Sequence, residues 1–180
     1  MGLDPIVRDF HSHAGRAQAC GLFTVRRGPG ILARLLAAAL RLPTPGDDVP
    51  TRLVVELRRD EGEGQLSQTW TRTFGARTLS SLQYAWRGEL LAERFRFIEV
   101  RFRLSVDAGA LRFEQLGAAL ALGRFFRLEM PRRLRPRIDA SVGPARSGHG
   151  QMEVRVVLRT PITGMLLAYA GSIRPEAVSR

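Results

Sequence analysis

Between Ser67 and Phe74 polar and apolar positions alternate with a period of two, which is the signature of a half-buried strand. Ser67, Thr69, Thr71 and Thr73 share one face, which suits water; Gln68, Trp70, Arg72 and Phe74 share the other. That second face sets an arginine between two large aromatics on the side directed into the protein. Upstream, Leu53, Val55 and Leu57 alternate with Arg52, Glu56 and Arg58, and a polar Asp/Glu/Gly run at 60–64 separates the two stretches. They are predicted to form a hairpin. Further strands are expected at 21–27, 79–86, 90–93, 111–116, 138–142, 152–158 and 165–173. The longest strand signal covers 95–106, yet its phase changes: Phe95 and Phe97 share one parity, Val100, Phe102, Leu104 and Val106 the other. A slip of one residue would expose half the hydrophobes, so a β-bulge is expected near Ile98 and Glu99.

One segment has the helical period instead. Ile31, Leu32, Leu35, Leu36, Ala39 and Leu40 recur at helical spacing over 31–42, with Arg34 and Arg41 on the opposite side. Its thin polar face predicts a helix largely covered by sheet; the sharper alternative is an interfacial membrane helix or a lid. Residues 117–123 fit strand or helix, 124–130 could continue a strand, and Pro131 and Pro136 restrict the segment between them to extended loop. Strands at short spacing joined by tight turns predict an α+β fold: a predominantly antiparallel, curved β-sheet or partial barrel with one main amphipathic helix packed against it. All 180 residues are expected in a single domain, with 1–19 as an N-terminal arm and 175–180 as a frayed tail.

Composition changes this picture in two respects. The net charge is +11, and all 28 basic residues are arginine. Such a charge attracts anionic partners, but the complete absence of lysine points to codon composition as much as to a selected surface. The single cysteine, Cys20, excludes an intramolecular disulfide and a cysteine-rich metal site, and fits a reducing compartment. No apolar run approaches the roughly 20 residues of a membrane-spanning helix, and no signal peptide is recognisable, so a cytoplasmic location is expected, with peripheral membrane contact open. His11 and His13, spaced i, i+2, lack an evident third ligand, and His149 stands far along the chain in a glycine-rich turn. They are read as solvated or locally hydrogen-bonded, and no metal or other cofactor is expected.

Several fragments recur in an order more specific than any one of them. Trp70-Thr71-Arg72-Thr73-Phe74-Gly75 is followed by Ser80-Ser81, then by Glu93-Arg94, by a Leu-x-Met-Pro and Leu-x-Pro pattern between Leu128 and Pro136, and by Pro161-Ile162-Thr163-Gly164 ahead of Tyr169-Ala170-Gly171. In this order they resemble the bacterial family called domain of unknown function 4166, from about Phe10 to Ile173. Members of that family occur alone or fused behind a saccharopine-dehydrogenase-like nucleotide-binding domain. The resemblance therefore implies a ligand-binding or accessory role beside an oxidoreductase, and the lack of a glycine-rich nucleotide fingerprint is similar to the stand-alone form.

Three functional expectations follow. An inward arginine is costly to desolvate unless paired, and Glu93, the acidic residue of the motif set, is the expected counter-charge of Arg72. In the first reading Trp70, Arg72, Phe74, Glu93 and Tyr169 line an apolar pocket for an amphipathic acid or lipid-like small molecule, with Arg72 holding the acidic head and no catalysis involved. The structural alternative for the same residues is a plain ion pair. In the second, Glu93 acts as a general base beside Arg72 and Tyr169 in a proton transfer; Ser80 and Ser81 are not in a nucleophile-elbow context. In the third, Arg124, Arg127, Arg132, Arg133, Arg135 and Arg137, interleaved with Phe125 and Phe126, form a surface for anionic membrane or nucleic acid. A solvated loop explains that run equally simply, and nucleic acid is not the expected partner.

Overall fold

The computed structural model describes residues 2–11, 15–59, 66–88, 90–122, 126–145 and 150–176. Two short helices, α1 (Pro5–His11) and α2 (Ile31–Ala39), accompany eleven strands: β1 (Arg16–Arg27), β2 (Gly46–Arg59), β3 (Leu66–Phe74), β4 (Arg77–Trp86), β5 (Leu90–Phe95), β6 (Ile98–Asp107), β7 (Ala110–Leu122), β8 (Phe126–Glu129), β9 (Arg137–Pro144), β10 (Met152–Thr160) and β11 (Gly164–Glu176). All strand pairings are antiparallel, in the order β6-β5-β4-β3-β2-β1-β11-β10-β9-β7-β8, and β6 also pairs with β7. That last pairing joins the two sides of the sheet into a closed ten-stranded barrel, with β8 appended outside the ring.

The expectation of an α+β fold with one main helix is therefore corrected: this is an all-β barrel. The reason lies in α2, whose buried residues are only Ala33 and Ala37 while Ile31, Leu32 and Leu35 stand exposed. The helix sits across one end of the barrel and leaves the walls to close on themselves. The expected N-terminal arm is α1 plus the first residues of β1. The final strand runs to Glu176, and residues 177–180, like the predicted polar turn at 60–64, lie outside the described residues.

The predicted β2–β3 hairpin forms, with Leu53 opposite Arg72 and Val55 opposite Trp70. The bulge expected near Ile98 is instead a hairpin turn: Phe95 ends β5, Ile98 begins β6, and the two pair across Arg96 and Phe97. Turn and bulge both shift the phase of alternation, so periodicity could not separate them. A register irregularity does occur in β6, but between Arg101 and Phe102, where Leu116 on β7 is the extra residue. At the β1–β11 seam, a Cβ on Gly21 would lie 1.9 Å from the Ser172 carbonyl oxygen, and one on Gly171 would lie 2.2 Å from that of Leu22. Glycine at both sites lets the two strands approach and bend there.

The main core fills the barrel with Phe23, Val25, Trp70, Phe74, Met152 and Ile173 among others. The two ends are closed differently. Helix α1, whose first turn is held by the Asp4 side chain accepting from the Ile6 N–H at 3.0 Å, inserts Val7 and Phe10. At the other end Leu42 and Pro43 are buried, and Arg27 donates to both their carbonyls, at 2.6 Å for Pro43.

Arg96 turns the β5–β6 hairpin with φ +55°, a left-handed conformation that costs a side-chain-bearing residue about 1 kcal/mol or more. Arg96→Gly is therefore expected to raise stability by about 1 kcal/mol in urea unfolding; a loss of stability would show that the turn draws more from the arginine side chain than from its backbone.

Candidate functional site

The inward face of β3 carries Trp70, Arg72 and Phe74 to the barrel interior, as its alternation dictates. From neighbouring strands the same alternation brings Leu79, Ser81 and Gln83 of β4, Glu93 and Phe95 of β5, and Tyr169 of β11. These side chains line a cavity of about 310 Å³ that reaches from His11 of α1 to Leu36 and Leu40 of α2. Its wall is overwhelmingly apolar, with one polar cluster.

That cluster centres on Glu93. Arg72 Nη2 donates to Glu93 Oε1 at 3.1 Å and Nη1 to Ser81 Oγ at 2.8 Å; Ser81 Oγ in turn donates to the same Glu93 oxygen at 2.5 Å. Gln83 Nε2 donates to Glu93 Oε2 at 3.0 Å. The guanidinium also lies 5.4 Å from the Trp70 ring centroid, within cation–π range. The side chains of Arg72 and Glu93 keep 18% and 21% of their surface accessible, and both face the cavity they line. Burial alone would pull the Arg72 pKa down, but the charge of Glu93 and its hydrogen bond outweigh it and raise it. Burial raises the Tyr169 phenol as well; Arg72 opposes this and Glu93 reinforces it. Tyr169 completes an aromatic wall, its ring 5.0 Å from Phe74 and 5.9 Å from Phe23.

All five residues expected in the pocket are thus brought to one cavity, and the expected counter-charge is in place. Glu93 accepts two hydrogen bonds at Oε1 and one at Oε2, which fixes the orientation of its carboxylate. Arg72 uses two of its five N–H donors on Ser81 and Glu93, and its exposed surface turns the rest of the fork toward the cavity.

Among the cavity residues that sequence reasoning did not place there are Ser81, Gln83 and His11. Ser81 and Gln83 were hidden because on their strand Leu82, Tyr84 and Trp86 occupy the other parity, which reads as the buried face. The third is His11, expected to be solvated or locally hydrogen-bonded, and it is the latter. Its ring lies 5.4 Å from Trp70 and 5.8 Å from Phe10, and its Nδ1 is 2.9 Å from the Val7 carbonyl oxygen. Because a carbonyl can only accept, Nδ1 carries the proton and the buried Nε2 presents a lone pair with no partner among the described residues. His13 and His149 lie outside the described residues. No helix in the described residues is long and apolar enough to cross a membrane.

The arginine-rich segment does not form one surface. Arg127 of β8 folds over the outer wall, pairing with Glu99, which is 1% exposed although it points out of the barrel, and stacking 4.0 Å from the Trp86 centroid. Tyr84 donates to the same carboxylate at 2.6 Å, and burial, then this bond, pushes its pKa up to about 12. Arg135 donates to the carbonyls of Leu116 and Met130 at 3.0 and 3.2 Å. Arg132, Arg133 and Arg137 are exposed, and Arg124 lies outside the described residues.

The profile of the family described as Domain of unknown function (DUF4166) matches residues 3–173, nearly the entire chain. The chain belongs to this family. No curated protein matches it. Among solved structures, a protein of unknown function from the DUF3598 family of Nostoc punctiforme is similar at 12% identity with a TM-score of 0.43, covering 96% of this chain and 49% of that one. The DUF4166 chain thus spans about half the length of that relative.

Two outcomes follow from the geometry. Removing one partner of a mostly buried ion pair strands the other, so Arg72→Met and Glu93→Leu are each expected to cost about 3 kcal/mol. The double variant is expected to cost clearly less than their sum, and a urea-unfolding cycle over the four proteins reads the coupling. For His11, burial lowers the imidazole pKa below its ordinary 6.5, against the raising effect of the Val7 hydrogen bond. With the folded value depressed, the unfolded chain binds more protons below the ordinary value. The contribution is intact above pH 6.5 and is lost as pH falls below it. The wild type should therefore lose more stability than His11→Phe between pH 7.5 and pH 5.5; parallel losses would show that His11 does not titrate on unfolding.

Proposed function

We propose that the barrel is a non-catalytic binding module that encloses an amphipathic, lipid-like small molecule. The observation that carries this reading is the cavity itself: apolar along its length, with a single preorganised polar cluster at Arg72, Ser81, Gln83 and Glu93. Small-molecule sites have this composition, an apolar wall with a few fixed polar groups, and the volume falls at the lower end of their range. The apolar body would lie between Phe74, Tyr169 and the aliphatic residues of β9 and β10, with its polar end at the free donors of Arg72.

The pairing of Arg72 with Glu93 refines the expected head. A carboxylate ligand would add a second anion to a cluster whose charges already cancel, in a low-dielectric interior where uncompensated charge is expensive. A hydroxyl, carbonyl or amide accepts from Arg72 without that penalty. The lone pair of His11 Nε2, on the far side of Trp70, would in turn accept from a donor on the ligand. An accessory role beside an oxidoreductase, which the family's domain fusions suggest, is compatible with such a module.

The test uses a fluorescent fatty alcohol and the matching fatty acid. Wild type is expected to take up the alcohol at least as well as the acid, and Ala140→Phe, which adds a ring to the cavity wall, should abolish uptake while folding is retained. Preference for the acid would move the head-group assignment to a carboxylate. Failure of the wild type to bind either probe, or uptake indifferent to Ala140→Phe, would overturn the binding role.

A further inference from the structure

We infer that the end of the barrel covered by α2 is a docking surface for an anionic phospholipid bilayer. The argument begins with where the exposed hydrophobes lie. At this end β1 passes into α2, β5 turns into β6, β7 ends and β10 turns into β11. Ile31, Leu32 and Leu35 of α2, Phe97 of the β5–β6 turn, Leu122 at the end of β7 and Ile162 of the β10–β11 turn all stand exposed there, Ile31 and Ile162 at 77% and 72%. Among the described residues, the opposite end, plugged by α1, contributes Leu66 and the outer part of β6. Large side chains gathered on the tips of one rim are not needed for the core, and exposed apolar surface beyond scattered single residues marks an interaction site.

Charge selects the occupant. Arg34, Arg41, Arg77, Arg96 and Arg159 are exposed at this same end, and none of them enters an ion pair among the described residues. Among the described acidic residues, Asp47 and Asp48 lie at this end, Asp47 bound to Arg26 at 2.6 Å, and Asp139 lies on the strand beside Arg159. At the far end Arg8 pairs with Asp9, Arg16 and Arg58 with Glu56, and Arg112 with Asp107, while Arg87 and Arg174 stand exposed. Five exposed arginines thus stand at the end where the hydrophobes protrude. Exposed leucine and isoleucine flanked by arginine is the composition of an element lying in the headgroup boundary of an anionic membrane. The inner side of the same helix supplies Leu36 and Leu40 to the cavity, so docking would bring the cavity's α2 end against the bilayer. The inference goes beyond the binding role and does not require the cavity to be filled.

The experiment is flotation of the full chain with phosphatidylcholine vesicles, with and without phosphatidylglycerol. Wild type should float with the phosphatidylglycerol vesicles and remain behind with phosphatidylcholine alone. Leu32→Glu with Leu35→Glu should abolish flotation, and Ile162→Glu, on a different element, should weaken it; all three sites are exposed, and an unchanged urea midpoint verifies folding. Arg34→Gln with Arg41→Gln should lower partitioning about tenfold, whereas Arg132→Gln with Arg133→Gln should leave it unchanged. Absence of flotation by the wild type, or flotation that survives both the leucine and the Ile162 substitutions, would overturn the proposal. So would a dimer in size-exclusion chromatography that these substitutions split, because the rim would then be an interface between copies. Uptake of the fluorescent alcohol from solution, measured without vesicles, is independent of each of these results and separates failure of docking from failure of the binding role.

Discussion

Closure of the sheet is the constraint on which the remaining structure depends. Every strand of the ring must find backbone partners on both edges, and β7 has to serve two on one edge: β9 along Leu111 to Phe113 and β8 along Ala119 to Leu122. Between these stretches β9 leaves the ladder, and a side chain takes its place. Gln115 accepts from the Ile138 N–H and donates to the Pro136 carbonyl, both at 2.7 Å, while Arg135 reaches the Leu116 carbonyl. Side-chain groups thus complete a seam that backbone alone would leave unsatisfied. Two of the features that looked like surface chemistry in the sequence, Arg127 and Arg135, are fasteners of β8 and of the loop after it.

The same closure determines the electrostatics inside. A polar group turned inward from a closed barrel has little water to solvate it, so it must be matched by other inward groups. Arg72 is matched by Glu93, and Glu93 by Ser81 and Gln83, which binds three consecutive strands together across their inner faces. A cluster so completely paired is suited to holding a shape and offering a few spare donors.

The barrel is also polar in a larger sense, because its two ends differ. Helix α1 is a stopper, driving Val7 and Phe10 into the core and placing His11 against Trp70. Helix α2 is a cover, holding on through two alanines and two leucines while its larger residues face outward. One end resembles the bottom of a vessel and the other its rim.

Much of this was legible in the chain. The period-two alternation of β3 specified which face Arg72 would take, because register on a strand with one buried face leaves no freedom. The cost of desolvating an arginine then called for a partner, and Glu93 supplies it. What local pattern could not decide was anything that depends on strands far apart in sequence. Closure through β6, β7 and β9 joins residues whose alternation is the same in an open or a closed sheet. The inward placement of Ser81 and Gln83 runs against the apolar parity of their own strand, since Tyr84 and Trp86 are covered from outside by Arg127 of β8. The helical period of α2 was plain, but periodicity shows only that a helix has an apolar face. Whether sheet, solvent or another surface meets that face is settled by where the barrel ends, and only the tertiary structure decides that.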